Sequence, residues 1–138
     1  MREILFRGKR TDNGEWVEGY YYKAKYCRTD DELCDYITVP HPKEYNEPSS
    51  HYIVNPETVG QYTGLTDKNG KMIFEGDMVK RFWLGKMCVY QIDYDNGLAS
   101  FIGRAGMKFT TFDYDSEEFE VIGNIYDNPE LLRGDNNG

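Results

Sequence analysis

A chain of 138 residues with 39% hydrophobic content is long enough to bury a core without disulfide or metal staples. Its formal net charge of -8 excludes a generally basic surface that would hold nucleic acid through phosphate contacts alone. Three cysteines, an odd number with no close pair, argue against a disulfide framework and for a reducing cytoplasm. The opening Met1-Arg2-Glu3-Ile4 lacks the apolar run of a secretory signal, and no segment approaches the ~20 apolar residues of a membrane span.

Taken in order, Ile4–Arg7 is expected as a first strand, and Thr11-Asp12-Asn13-Gly14 as a hairpin turn into Glu15–Tyr22. Trp16, Glu18, Tyr20 and Tyr22 alternate with Val17, Gly19 and Tyr21, so both faces are similarly apolar and the hairpin is expected to be covered on each side. Gly19 inside the strand suggests a bulge or a close crossing. Residues 23–50 are the least legible. Within them, Asp35–Val39 reads as a strand stopped by Pro40, and His41–Ser50 as an exposed loop. His51–Asn55 is a further short strand, and Pro56–Val59 one turn of 3₁₀ helix or a bend.

The chain is organised around 60–80, where turn signals alternate with short apolar pairs. Asn69-Gly70 is the tightest of these signals, because both residues tolerate positive φ. Gly64, Gly76 and Asp77 are read as structural turn positions too, serving backbone geometry. Met78–Leu84 then forms a strand, Gly85-Lys86 a turn, Met87–Tyr94 a long strand, Asp95-Asn96-Gly97 a turn and Leu98–Ile102 the return. Met107–Tyr114 carries Phe109 and Phe112, and Phe119–Tyr126 closes the region as a strand with a break at Gly123. A helical turn follows, with Asn128 as cap and Pro129 in its first position.

This hairpin spacing, from about Asp67 to Tyr126, predicts a mainly β fold with a small, strongly bent barrel resembling the SH3 type and few short helices. The expected organisation is an N-terminal β region over 1–60, a barrel-like region over 61–132 and a tail over 133–138, or one integrated domain. Trp16, Phe74, Val79, Val89, Phe101 and Val121 are the expected core.

Four blocks carry a family resemblance: Met-Arg-Glu-Ile-Leu-Phe-Arg at 1–7, Val-Gly-Gln-Tyr-Thr-Gly-Leu-Thr-Asp-Lys-Asn-Gly at 59–70, Ile-Phe-Glu-Gly-Asp-Met-Val-Lys at 73–80, and Glu-Val-Ile-Gly-Asn-Ile-Tyr-Asp-Asn-Pro-Glu-Leu at 120–131. In this order and over nearly the whole chain they resemble the YopX family of small phage and prophage proteins. The chain departs from the family pattern at Leu5, where a lysine is frequent, and where a tryptophan is common it carries Gly8-Lys9-Arg10, which matches one branch of the family. The resemblance implies a mainly β accessory protein of phage origin in the bacterial cytoplasm, plausibly oligomeric, and brings no catalytic residues with it.

Reactive constellations weigh lightly. Thr63–Gly70 has two glycines and a lysine, but not the Gly-Lys-Ser/Thr and helix of a P-loop. Asp67 could open a calcium loop, but Met78 stands where its twelfth-position glutamate belongs. Cys34, His41 and His51 match no common zinc spacing. Acidic residues at Asp93, Asp95, Asp113, Asp115, Glu117 and Glu118 are expected at turns, neutralised by counterions. The chain is therefore read as no enzyme, with no cofactor and no metal. The possible binding surface is Lys80, Arg81, Trp83 and Lys86, where aromatic rings stand among cations as on a base-stacking platform. Phe82 and Trp83 are expected on opposite faces, at least one of them in the core. Protein binding, by self-assembly into a homo-oligomer or to a host or phage protein, fits the acidic charge and the 12 tyrosines better than nucleic acid does.

Overall fold

The computed structural model describes residues 4–25, 33–40, 50–111 and 118–131. Cys27, His41 and most of its loop, Phe112, Asp113, Asp115, Glu117 and the tail lie outside the described residues. The chain divides into two compact units, Met1–Gln61 and Tyr62–Gly138.

The first unit is built from β1 (Phe6–Lys9), β2 (Trp16–Lys25), β3 (Leu33–Val39) and β4 (Ser50–Val54), antiparallel in the order β4-β3-β2-β1. Gly14, at φ +74°, closes the β1–β2 turn. Gly19 marks a close crossing: a Cβ there would lie 2.1 Å from the Thr38 carbonyl oxygen. The two faces of β2 differ, contrary to the expectation from their similar polarity. Gly19 is buried and Tyr21 half-buried, whereas Tyr20 and Tyr22 are exposed, Tyr22 stacked on Tyr36 at 5.2 Å. On the inner side the Tyr21 hydroxyl donates to buried Asp35. Burial, with that bond and the nearby carboxylate charge, pushes the phenol up to about 12. Ile37 and Val54 form the fully buried centre. Val54 also bridges Arg10, just past β1.

A 3₁₀ turn, Pro56–Thr58, follows, with the Asn55 side chain accepting from the Glu57 amide at 3.1 Å. It delivers β5 (Gly60–Thr66), whose first residues pair with β1 at Gly60–Arg7 and Gln61–Phe6.

In the second unit the rest of β5 pairs with β6 (Met72–Phe74) across a register shift that contains Gly64, at φ +89°. Then come β7 (Asp77–Trp83), β8 (Lys86–Asp95), β9 (Ser100–Ala105), β10 (Lys108–Thr111) and β11 (Glu120–Asn124), antiparallel in the order β10-β9-β8-β7-β11. Ile73, Val79, Tyr90, Ile92 and Phe119 make the core, with Phe119 edge-on to Tyr90 at 5.9 Å. Gly123 sits in a bulge of β11, where a Cβ would meet the Asn128 Oδ1 at 2.5 Å.

The expected SH3-like barrel is not formed. The strands lie in two open antiparallel sheets, and in the second β10 and β11 are opposite edges with no ladder between them among the described residues. Hairpin spacing reveals which strands are sequential neighbours, but closure depends on strand length, tilt and shear, which spacing does not carry. β10 has four residues, and its whole length is paired to β9. Of the expected core, Phe74 and Val79 are buried, while Trp16, Val89, Phe101 and Val121 are half-buried. Val89 lies on the face of β8 away from Tyr90 and Ile92, as strand alternation requires.

Candidate functional site

β7 begins in the core and ends in solvent. Val79 is fully buried and Arg81 is 6% exposed, but Phe82 and Trp83 are both exposed, so neither is the core residue that alternation suggested. Beyond Arg81 the strand outruns its core, and among the described residues only its hairpin partner β8 pairs with it there, at Phe82–Met87 and Trp83–Lys86. The two-residue turn is Leu84-Gly85, one position earlier than the sequence indicated, with φ of +50° and +78°. Two successive positive φ values suit the twist of a hairpin and favour Asn-Gly. Here a leucine occupies the first position, 87% exposed. A second hairpin, β9–β10, turns at Gly106, φ +63°, and Met107, which is fully exposed.

Between these hairpins lies a groove of about 600 Å³. Arg81 and Trp83 line it from β7, Lys86 to Tyr90 from β8, and Ala105 to Thr110 from the second hairpin. Among these described lining residues three are cations and none is a carboxylate. The Arg81 guanidinium lies 4.7 Å from the Trp83 ring centre, 4.8 Å from Phe119 and 5.7 Å from Tyr90. Its carboxylate neighbour is the half-exposed Glu118, at 3.9 Å, beyond hydrogen-bond reach. Its buried Nε has no hydrogen-bond partner among the described residues.

Of the residues singled out in the sequence, Arg81, Trp83 and Lys86 thus come together on one face of the sheet. Lys80 points to the other, beside a hollow of about 320 Å³ that it lines with Lys68, Phe82, Trp83, Met87, Glu118 and Glu120. There Glu120 lies 3.0 Å from Lys68 and 3.7 Å from Lys80, and the Lys68 bond foremost holds its carboxyl below the usual range. Met87, Met107, Lys108 and Phe109 were not foreseen as part of the surface. The available signal was Gly103-Arg104-Ala105-Gly106 as a tight turn, which brings Lys108 opposite Ala105.

The remaining positions have architectural surroundings. At the β5–β6 turn Gly70 has φ +82°, but Asn69 is not left-handed, so the two do not share the mirror-image turn their pairing suggested. Asp67 sets this geometry. One carboxylate oxygen accepts from the Asn69 and Lys71 amides, and the other from the Val121 amide on β11, all at 2.9 Å. Burial opposes its charge, yet the three amides prevail and hold the carboxyl below the ordinary aspartate value. Gly76, φ +94°, donates to the Ile92 carbonyl and accepts from the Ile125 amide, each at 2.9 Å. Buried Asp77 accepts from the Phe74 amide at 2.8 Å. Asp93 and Asp95 grip Arg104 at 2.9 and 3.0 Å. His51 Nδ1 lies 2.8 Å from the Thr38 hydroxyl and 3.0 Å from that of Tyr22. Among the described residues no three His, Cys, Asp or Glu side chains converge as metal ligands would.

Residues 5–133 match the family model described as YopX protein. Among solved structures the chain is similar to the crystal structure of protein EF1440 from Enterococcus faecalis, with 26% identity and a TM-score of 0.52 over 96% of this chain and 99% of that one. No curated protein matches the chain.

Proposed function

The chain belongs to the YopX family, and we propose that it acts as a non-catalytic protein-binding module, a phage-encoded accessory protein working in the bacterial cytoplasm, whose contact surface is the hairpin end of its second unit. The observation that carries this reading is the density of exposed apolar side chains there: Phe82, Trp83, Leu84, Met87, Met107 and Phe109 all lie on two adjacent hairpins. Clustered exposed apolar groups mark interaction sites, and flexible methionines suit surfaces that adapt to a protein partner. Leu84 adds weight, since an exposed leucine at positive φ opposes folding and is accounted for by what it touches.

The same aromatics among cations favour nucleic acid as the competing partner, and the distribution of charge weighs against it. Lys68 and Lys80 are paired with Glu120. Arg81, Lys86 and Lys108 are left to meet phosphate along the groove, three cations where strong nucleic-acid binders make roughly 6–10 phosphate contacts.

The test compares the whole protein with a Trp83→Ser, Met87→Ser, Met107→Ser variant, both used to capture partners from nuclease-treated host lysate. Light scattering of each at micromolar concentration accompanies the capture. A polypeptide held in stoichiometric amount by the parent and lost by the variant, or a parent oligomer that the variant dissociates, supports the reading. Identical recovery and identical mass for both proteins would refute it.

A further inference from the structure

Resting on that protein-binding reading, we propose that the groove between the β7–β8 and β9–β10 hairpins selects an acidic apolar segment: an extended stretch of partner chain with an aromatic or aliphatic anchor next to an aspartate or glutamate. The anchor has its counterpart in Trp83, Met87, Met107 and Phe109, and the carboxylate in Arg81, Lys86 and Lys108. The chain as a whole carries 24 acidic and 16 basic side chains. The described lining of the groove, with three cations and no carboxylate, runs against that balance, and complementary potential is how such surfaces choose partners.

Arg81 makes the demand specific. A buried guanidinium is costly unless paired and hydrogen-bonded. Here three rings offset part of that cost, Glu118 stands too far to hydrogen-bond, and Nε is unpartnered among the described residues. An arriving carboxylate supplies the hydrogen-bonding anion that Glu118, at 3.9 Å, does not, and the planar guanidinium is the side chain best shaped to hold one. A nucleobase fits less well, because one face of the Trp83 ring is already covered by that guanidinium.

The experiment pans a random dodecapeptide library, displayed on phage, against the full chain. An enriched peptide and its acid-to-amide analogue are then titrated by fluorescence anisotropy, with an oligothymidylate as competitor. Enrichment should converge on an apolar residue within two positions of Asp or Glu. The amide analogue should bind about tenfold more weakly, the scale of a charge-assisted hydrogen bond. The variant Lys86→Glu, Lys108→Glu alters exposed positions only and leaves the fold in place. It should lose the acidic peptide and gain affinity for a lysine-bearing one. Convergence on apolar residues without an acid, or unchanged affinity of the amide analogue, would overturn the carboxylate inference and leave the protein-binding reading standing. Absence of any enriched peptide would overturn both, and an oligothymidylate that displaces every peptide would transfer the groove to single-stranded nucleic acid.

Discussion

Replacing Asp67 tests the physical account of the second unit most directly. The side chain is 4% exposed and accepts three backbone hydrogen bonds. Two close its own turn, and the third ties that turn to β11, 54 positions away in sequence. Asp67→Ala removes all three acceptors. Water can reach the Asn69 and Lys71 amides, since both residues are exposed, so each contributes only about 0.5–1 kcal/mol to the cost. The Val121 amide is half-buried on a paired strand, and leaving it unsatisfied costs about 1–3 kcal/mol. The expected loss is thus about 2–5 kcal/mol by urea denaturation at neutral pH. Asp67→Asn keeps one acceptor oxygen but aims an NH₂ at a donor, so it should lose about 1–3 kcal/mol. The carboxyl also makes the effect pH-dependent. Its folded pKa lies below its unfolded one, so between the two the unfolded chain holds more protons and stability rises with pH. The contribution is complete above the ordinary aspartate value of about 4 and is lost as pH falls through the folded value. The gap between parent and Asp67→Asn should therefore narrow as acid is added below about pH 4. An Asp67→Ala cost under about 1 kcal/mol, or a gap that widens in acid, would show that this carboxylate does not hold β11 to the turn.

Three further outcomes follow from single distances and angles. Gly19→Ala places a methyl 2.1 Å from the Thr38 carbonyl oxygen and should destabilise by more than about 3 kcal/mol in thermal or chemical denaturation. Val79→Ala, in the core, should cost about 2–4 kcal/mol, and Val89→Ala, half-buried on the outer face, less than about 1 kcal/mol; equal losses would mean that the sheet faces are assigned the wrong way round. Leu84→Asn relieves a left-handed leucine and should raise stability by about 0.5–1 kcal/mol while weakening partner binding; a stability loss would show that the turn does not need positive φ there.

Much of the strand pattern was legible because glycine and alternating apolar residues are local signals. The turns at Gly14, Gly76 and Gly106 and the crowded Gly19 are each visible in a few residues. Closure was not legible, because it is a property of the whole sheet. Asp67 was missed for a related reason. Its Asp-Lys-Asn-Gly context advertises a turn and resembles the opening of a calcium loop, but its third partner, the Val121 amide, comes from a strand that no local pattern links to it. At the proposed binding surface, Arg81, Trp83 and Lys86 stood out as cations next to an aromatic ring. Strand alternation puts Phe82 and Trp83 on opposite faces and so expects at least one of them in the core, but both are exposed, because the core ends before these positions are reached.

The hairpin end of the second unit answers to two demands that pull apart. Folding would place asparagine or glycine at position 84, shorten β7 and β8 to the extent of the core, and pair or remove the charge at Arg81. The chain instead extends the hairpin into solvent, crowns it with leucine at φ +50° and keeps a guanidinium buried among rings. The overhanging strands and the guanidinium border the groove, and Leu84 caps the hairpin beside it. A left-handed residue alone marks nothing, since Ala99 in the β8–β9 turn has φ +52° as well. What sets the proposed contact surface apart is the coincidence at one hairpin of such a residue with exposed aromatics and a buried guanidinium, where a partner would supply the compensation that the isolated fold lacks.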